Sequence, residues 1–174
     1  NELSSQVSRD ADGDMVVPEL AVLNEQAVGG FKSLVHDHYF SVFAGSTLPV
    51  KSLDMADWFT KRGEMGYTAA ITGEAAVNPQ APGVMQPFAL CREMCYRMSI
   101  ASQRDKHFGA FLACQANEVA EFRYAGYIMA YRYCLNALPQ SVASVVNAQA
   151  NAQVRDDVNT WNIFVAPAEE QAAK

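Results

Sequence analysis

From His107 to Leu138 the chain runs 32 residues without a proline and with only four charged side chains, Glu118, Glu121, Arg123 and Arg132. Phe108, Phe111/Leu112, Gln115, Val119, Phe122, Gly126, Met129 and Tyr133 recur there at three- and four-residue steps, the spacing of one face of a helix. This pattern predicts one long, nearly buried helix or two in tandem, ended by Pro139. Gly109, Ala113, Ala116 and Ala120 supply small side chains along which another helix can approach. The four charges leave no uncharged window of ~20 residues, so the stretch does not predict a membrane span.

The preceding segment, Phe88 to Ser102, predicts an amphipathic helix. Phe88, Cys91, Met94, Cys95, Met98 and Ala101 form its apolar face. Glu93 and Arg97 stand one turn apart in the favourable order, and Arg92 lies towards the polar side. Further upstream, Pro18 suits the first turn of a helix running to about Val28, with Gly29-Gly30 as its stop. Phe31 to Ala44 has helical spacing, although HYFSVFA also fits a strand. Ser52 is placed to cap a helix over Leu53–Arg62, with Gly63 ending it. Residues 64–76 predict a weak helix at most, and Val77–Pro87, with three prolines, an irregular connection of the kind that contacts partners. After Pro139, Ser141 is a candidate cap for a helix reaching about Asp157. Trp161, Ile163 and Val165 then alternate with Asn162 and Phe164, as an extended hook would present them.

The expectation is a mostly α fold: a single helical-bundle-like domain over residues 18–158, with extended polar arms at 1–17 and 159–174. Half of the 174 residues are hydrophobic, enough for one sizeable core. The net charge of −6 disfavours uniform electrostatic capture of nucleic acid or an acidic membrane. The charge is uneven, with six acids against Arg9 in residues 1–28 and a surplus of two bases in residues 88–153. Cys91, Cys95, Cys114 and Cys134 form no Cys-x-x-Cys pair. They read as buried free thiols of a protein made in a reducing, cytoplasmic compartment. No signal peptide is visible, and the first residue is not methionine.

No Gly-x-Ser-x-Gly, His-Glu-x-x-His, Walker or dinucleotide fingerprint occurs, and the cysteines and histidines do not match a zinc spacing. His36 and His38, two positions apart, point away from each other on a helix, so no metal site is predicted. Glu93, Glu118 and Glu121 are carboxylates without an evident catalytic partner. The run Cys91-Arg92-Glu93, with Tyr96-Arg97-Met98, is similar over eight residues to the pigment-attachment helix of phycobiliproteins. The chain on either side departs from that family, so no pigment site or other cofactor is carried over.

These observations predict a non-enzymatic, self-assembling structural subunit of a filament or virus-like particle. Its layout is similar to that of the helical coat proteins of flexible filamentous viruses. Copies of the chain are the expected partners, joined through Trp161, Ile163, Phe164 and Val165. Single-stranded nucleic acid is the candidate polymer, held in the assembled state by Arg92, Arg97, Arg104, Lys106 and Arg123, with Tyr96 and Tyr124 available for stacking. The alternatives are a helical adaptor using the 77–87 loop, and a small-ligand carrier with a Met- and Cys-rich pocket between the two central helices.

Overall fold

The computed structural model of the chain describes residues 1–35, 38–45 and 48–172. The fold is mostly helical with a small three-stranded sheet. The helices are α1 (Leu20–Val35), α2 (Ala56–Thr60), α3 (Gln86–Arg97), α4 (Gln103–Gln115), α5 (Ala120–Ala137), α6 (Gln140–Ala148) and α7 (Ala152–Ala172). The strands are β1 (Lys51–Ser52), β2 (Gly66–Thr68) and β3 (Ala75–Val77). They lie in the order β1-β3-β2, with β1 parallel to β3 and β2 antiparallel to it. Short 3-10 helices cover Leu3–Ser5 and His38–Ala44.

Everything is built around α3. Each residue from Pro87 to Cys95 is buried, because α1, α4, α5 and strands β2 and β3 all pack against it. The predicted amphipathic helix is therefore a central one. It ends at Arg97 rather than Ser102, and Ser99 takes a left-handed backbone (φ +67°) just beyond it. Ser102 instead caps α4, its hydroxyl accepting from the Asp105 N–H at 3.4 Å.

The His107–Leu138 stretch falls in two helices in tandem, α4 and α5. Residues 116–119 break it, and Asn117 Oδ1 accepts from the Val119 N–H at 2.9 Å. Of the small residues, Gly109 admits a neighbouring helix as expected, since a Cβ there would lie 3.0 Å from Sγ of Cys95 on α3. The same logic explains a prediction that fails. Gly29-Gly30 does not stop α1, which continues through both. A Cβ on Gly30 would fall 2.2 Å from the carbonyl oxygen of Ala113. The glycine is there so that α1 can lie against the α4 backbone.

Two other predictions are corrected. The Leu53–Arg62 helix shrinks to α2, with Ser52 in β1 and Met55 at the N-cap. Gly63 does adopt the left-handed φ (+68°) expected of a stop. Residues 64–76 are not helical but supply β2 and the start of β3. Buried amides hold these short pieces in place. Asn24 of α1 donates to the Val50 carbonyl at 3.0 Å and accepts from the Val50 N–H at 2.7 Å. Asn78 donates to Thr60 Oγ1 at 2.8 Å and to the Glu64 carbonyl at 3.1 Å.

The terminal segments also differ from free polar arms. Arg9 pairs with Met15 in a β-bridge, and Val7 and Met15 are buried in the core. At the other end, α6 starts after Pro139 with no side-chain cap, and α7 runs unbroken across the expected boundary at residue 159. Asn151 Oδ1 accepts from the Val154 N–H at 2.8 Å in the first turn of α7. The two ends are tied together through Arg9, which donates to both carboxylate oxygens of the buried Asp157, at 3.2 and 2.9 Å. The Tyr124 hydroxyl donates to the same carboxylate, so the N-terminal segment, α5 and α7 meet at one ion pair.

The two neighbouring glycines of α1 provide a direct check. Gly29 is exposed, and nothing lies within 4 Å of a Cβ added there. Gly29→Ala is expected to raise stability by ~0.5–1 kcal/mol through the loss of unfolded-state freedom. Gly30→Ala is expected to lower it by ~1–3 kcal/mol through overpacking. Thermal or urea unfolding of the two variants measures both.

Candidate functional site

Burying α3 on all sides buries two charges with it. Arg92 is 8% exposed and Glu93 is 2% exposed. They are adjacent in sequence and pair with each other, Arg92 Nε donating to Glu93 Oε1 at 2.7 Å and Nη2 to the same oxygen. Nη2 also donates to the Gly66 carbonyl at 3.0 Å, and the Thr68 hydroxyl donates to Glu93 Oε2 at 2.6 Å. The cluster is therefore satisfied from within by α3 and β2, as a buried ion pair requires. Both carboxylate oxygens of Glu93 are engaged, Oε1 by Arg92 and Oε2 by Thr68. Among the described residues, no group of three His, Cys, Asp or Glu side chains is placed to hold a metal ion.

The next turn of the structure is less complete. His107, on α4, hydrogen-bonds through Nδ1 to the Tyr133 hydroxyl of α5 at 2.5 Å. Its Nε2 is buried and has no hydrogen-bond partner. Burial first, then the positive charges of Arg92, Lys106 and Arg132, push its pKa down from 6.5 to about 4, so the imidazole is neutral at pH 7. The ring packs on Phe88 (centroids 5.7 Å apart), and Phe88 in turn on Trp161 (5.9 Å).

In front of His107 lies a cleft of about 610 Å³ between α4 and α5, lined by Phe88, Gln103, Arg104, His107, Phe108, Phe111, Met129, Ala130, Tyr133 and Cys134. Its back wall is core, because Phe88 is fully buried and Met129 is 4% exposed. Its front is loose, with Phe108 60% exposed. A second cavity of about 790 Å³ lies on the other side of α5, under α6 and residues 1–3, and shares Ala130 and Cys134. Although larger, it is the less persuasive site. Tyr124 and Tyr131 there already hydrogen-bond to Asp157 and to the Val146 carbonyl and Asn147, respectively.

The residues singled out from sequence fare differently. Of the five basic candidates, Arg92 is consumed by Glu93. Lys106 is 9% exposed, with its ammonium 4.7 Å above the Tyr96 ring. Arg97 does not pair with Glu93 but donates to the Leu48 and Pro49 carbonyls, at 2.7 and 3.2 Å. Arg123 donates to the Asn117 and Glu118 carbonyls, at 3.0 and 2.6 Å. Only Arg104 of the five is largely exposed, at 90% of its side chain, beside Asp105 at 3.4 Å. The proposed stacking ring Tyr124 is 3% exposed.

The hook is helical rather than extended. Trp161 is fully buried and Val165 is 7% exposed, both inside the chain's own core, whereas Ile163 is 66% exposed and Phe164 is partly buried against the core. All four cysteines are free thiols, with Cys134 exposed. No helix among the described residues is long and apolar enough to cross a membrane. Of the His36–His38 pair, His36 lies outside the described residues. The residues missed in the sequence, His107 and Tyr133, are 26 positions apart, and only the α4–α5 turn brings them together.

Two outcomes follow. Trp161→Ala should cost ~3–5 kcal/mol of stability, the usual price of emptying a large core site, read from chemical denaturation. For His107, the folded state binds a proton more weakly than the unfolded chain. Its contribution is therefore present above pH 6.5 and lost as the pH falls towards 4. Wild type should lose ~2–3 kcal/mol more than His107→Gln between pH 7 and pH 4, measured by urea unfolding at each pH.

Residues 1–174 match a family model described as "Protein of unknown function (DUF3810)". No curated protein and no solved structure matches the chain. Since the family match runs from the first residue to the last, the chain belongs to the DUF3810 family.

Proposed function

We propose that this chain is a non-enzymatic binding protein that holds a small apolar molecule in the cleft between α4 and α5. The observation that carries this reading is the cleft itself. Its volume of about 610 Å³ falls in the range of small-molecule pockets, roughly 300–1,000 Å³. Its walls are mainly aromatic and aliphatic, with few polar groups to orient a ligand. The one strongly buried carboxylate of α3, Glu93, is engaged by Arg92 and Thr68, which favours binding over acid–base chemistry. In this reading α1, α3, α4 and α5 act as a small helical bundle, and the terminal segments brace it rather than reach outward.

A self-assembling subunit is the second reading. It is favoured by α6, which buries none of its residues and leaves Val142 and Val145 45% and 61% exposed, an apolar face that a second copy would cover. Packaging of single-stranded nucleic acid would fall chiefly to Arg104, since the other four basic candidates have partners within the chain or lie beneath its surface. The mass of the protein in solution separates the two readings, because assembly requires large oligomers.

Binding of the neutral fluorescent probe N-phenyl-1-naphthylamine tests the cleft. Phe108→Ala removes an exposed wall, so stability should change by no more than ~0.5 kcal/mol. Probe affinity should fall about tenfold, as expected for the lost apolar contact. Ala130→Trp, which fills the floor, should abolish binding. Unchanged affinity in both variants would place the probe elsewhere and remove the support for this function.

A further inference from the structure

We infer that the ligand of the α4–α5 cleft is an amphiphilic monocarboxylate, with its apolar chain or ring against Phe108, Phe111 and Met129 and its carboxylate at the rim beside Arg104 and Gln103. This rests on the reading of the cleft as a binding site and names the class of molecule it takes. The argument is the distribution of charge. The polar groups lining the cleft are Gln103, Arg104, His107 and Tyr133, and no carboxylate lines it. The second cavity, by contrast, is lined by Glu2 and three tyrosines and by no Lys or Arg side chain.

Arg104 is available for an incoming anion. Its only ion pair among the described residues is with Asp105, at 3.4 Å through Nε, and both side chains are largely exposed, at 90% and 57%. Pairs of that kind hold weakly in water. One of the five guanidinium N–H donors is engaged there, which leaves the Nη fork for a carboxylate. Behind the rim, Lys106 and Arg132 add positive charge near His107, while the charge of Arg92 is met by Glu93. The chain as a whole carries −6. Any preference for an anion must therefore arise locally, and a cationic amphiphile of equal length should be disfavoured at this mouth.

The experiment is displacement of N-phenyl-1-naphthylamine from the full chain at pH 8 by dodecanoate, dodecan-1-ol and dodecyltrimethylammonium, three molecules with the same tail. Dodecanoate is expected to bind about tenfold more tightly than dodecan-1-ol, with the cation weakest. Arg104→Gln should remove the advantage of the acid, read as the ratio of the acid and alcohol affinities falling to about one. Arg104→Lys, which keeps the charge but not the fork, should restore part of it. Equal binding of acid and alcohol in the wild type, or tighter binding of the cation, overturns the inference while leaving the cleft as a site for apolar molecules. Failure of all three to compete, with Phe108→Ala leaving probe binding unaltered, overturns the cleft and this inference together.

Discussion

Over Pro87–Cys95, α3 has no solvent face on which to place a charge, and that stretch carries two, Arg92 and Glu93. The Arg92–Glu93 pair is the constraint to which the rest of the structure answers. Leaving either ion unpaired in that position costs ~3–5 kcal/mol, so each remaining donor or acceptor must be met. Gly66 and Thr68 of β2 meet them, which explains why a strand of three residues lies against a helix in an otherwise helical protein. The sheet is small because its task is local: it brings a carbonyl and a hydroxyl to a buried fork. Asn78 and Asn24 then fix the loops that deliver the strands.

The cleft follows from the same packing. Trp161, Phe88, His107 and Tyr133 form a chain of ring contacts, with successive centroids 5.9, 5.7 and 5.8 Å apart. It runs from α7 through α3 and α4 to α5. Trp161 and Phe88 are fully buried and Tyr133 is 49% exposed, so the chain of rings runs from the core to the surface. Burial beside cations keeps His107 neutral at pH 7, which lets an apolar wall tolerate an imidazole. The C-terminal helix thus supports the cleft from behind, a contribution that a free, extended arm could not make.

The sequence displayed the helices well where apolar periodicity was long, as over 107–138, but the pocket it suggested lay between Phe88–Ser102 and His107–Leu138, whereas the cleft lies between α4 and α5, within the second of those stretches. It hid the strands, because two or three residues carry no period. Gly29-Gly30 looked like a stop because its reason, the Ala113 carbonyl, lies 83 residues away along the chain. The C-terminal segment carries two periods, and only a longer window separates them. Trp161, Ile163 and Val165 alternate as a strand would, yet Val154, Val158, Trp161 and Val165 follow the three- and four-residue steps of a helix, and all four are buried. The basic residues were read as a set by charge alone. Pattern cannot show that Arg92 and Lys106 are inside, since burial of a charge depends on partners from β2 and on the ring of Tyr96.

The most direct measurement of the central claim is methyl NMR of the protein titrated with dodecanoate. The Met129 and Ala130 methyl groups of the cleft should shift and show contacts to the ligand tail, while Val146 and Val154, which line the second cavity, and Met85 in the core stay in place. Contacts to Val146 and Val154 without Met129, or no saturable shift at any of these methyls, would contradict the account.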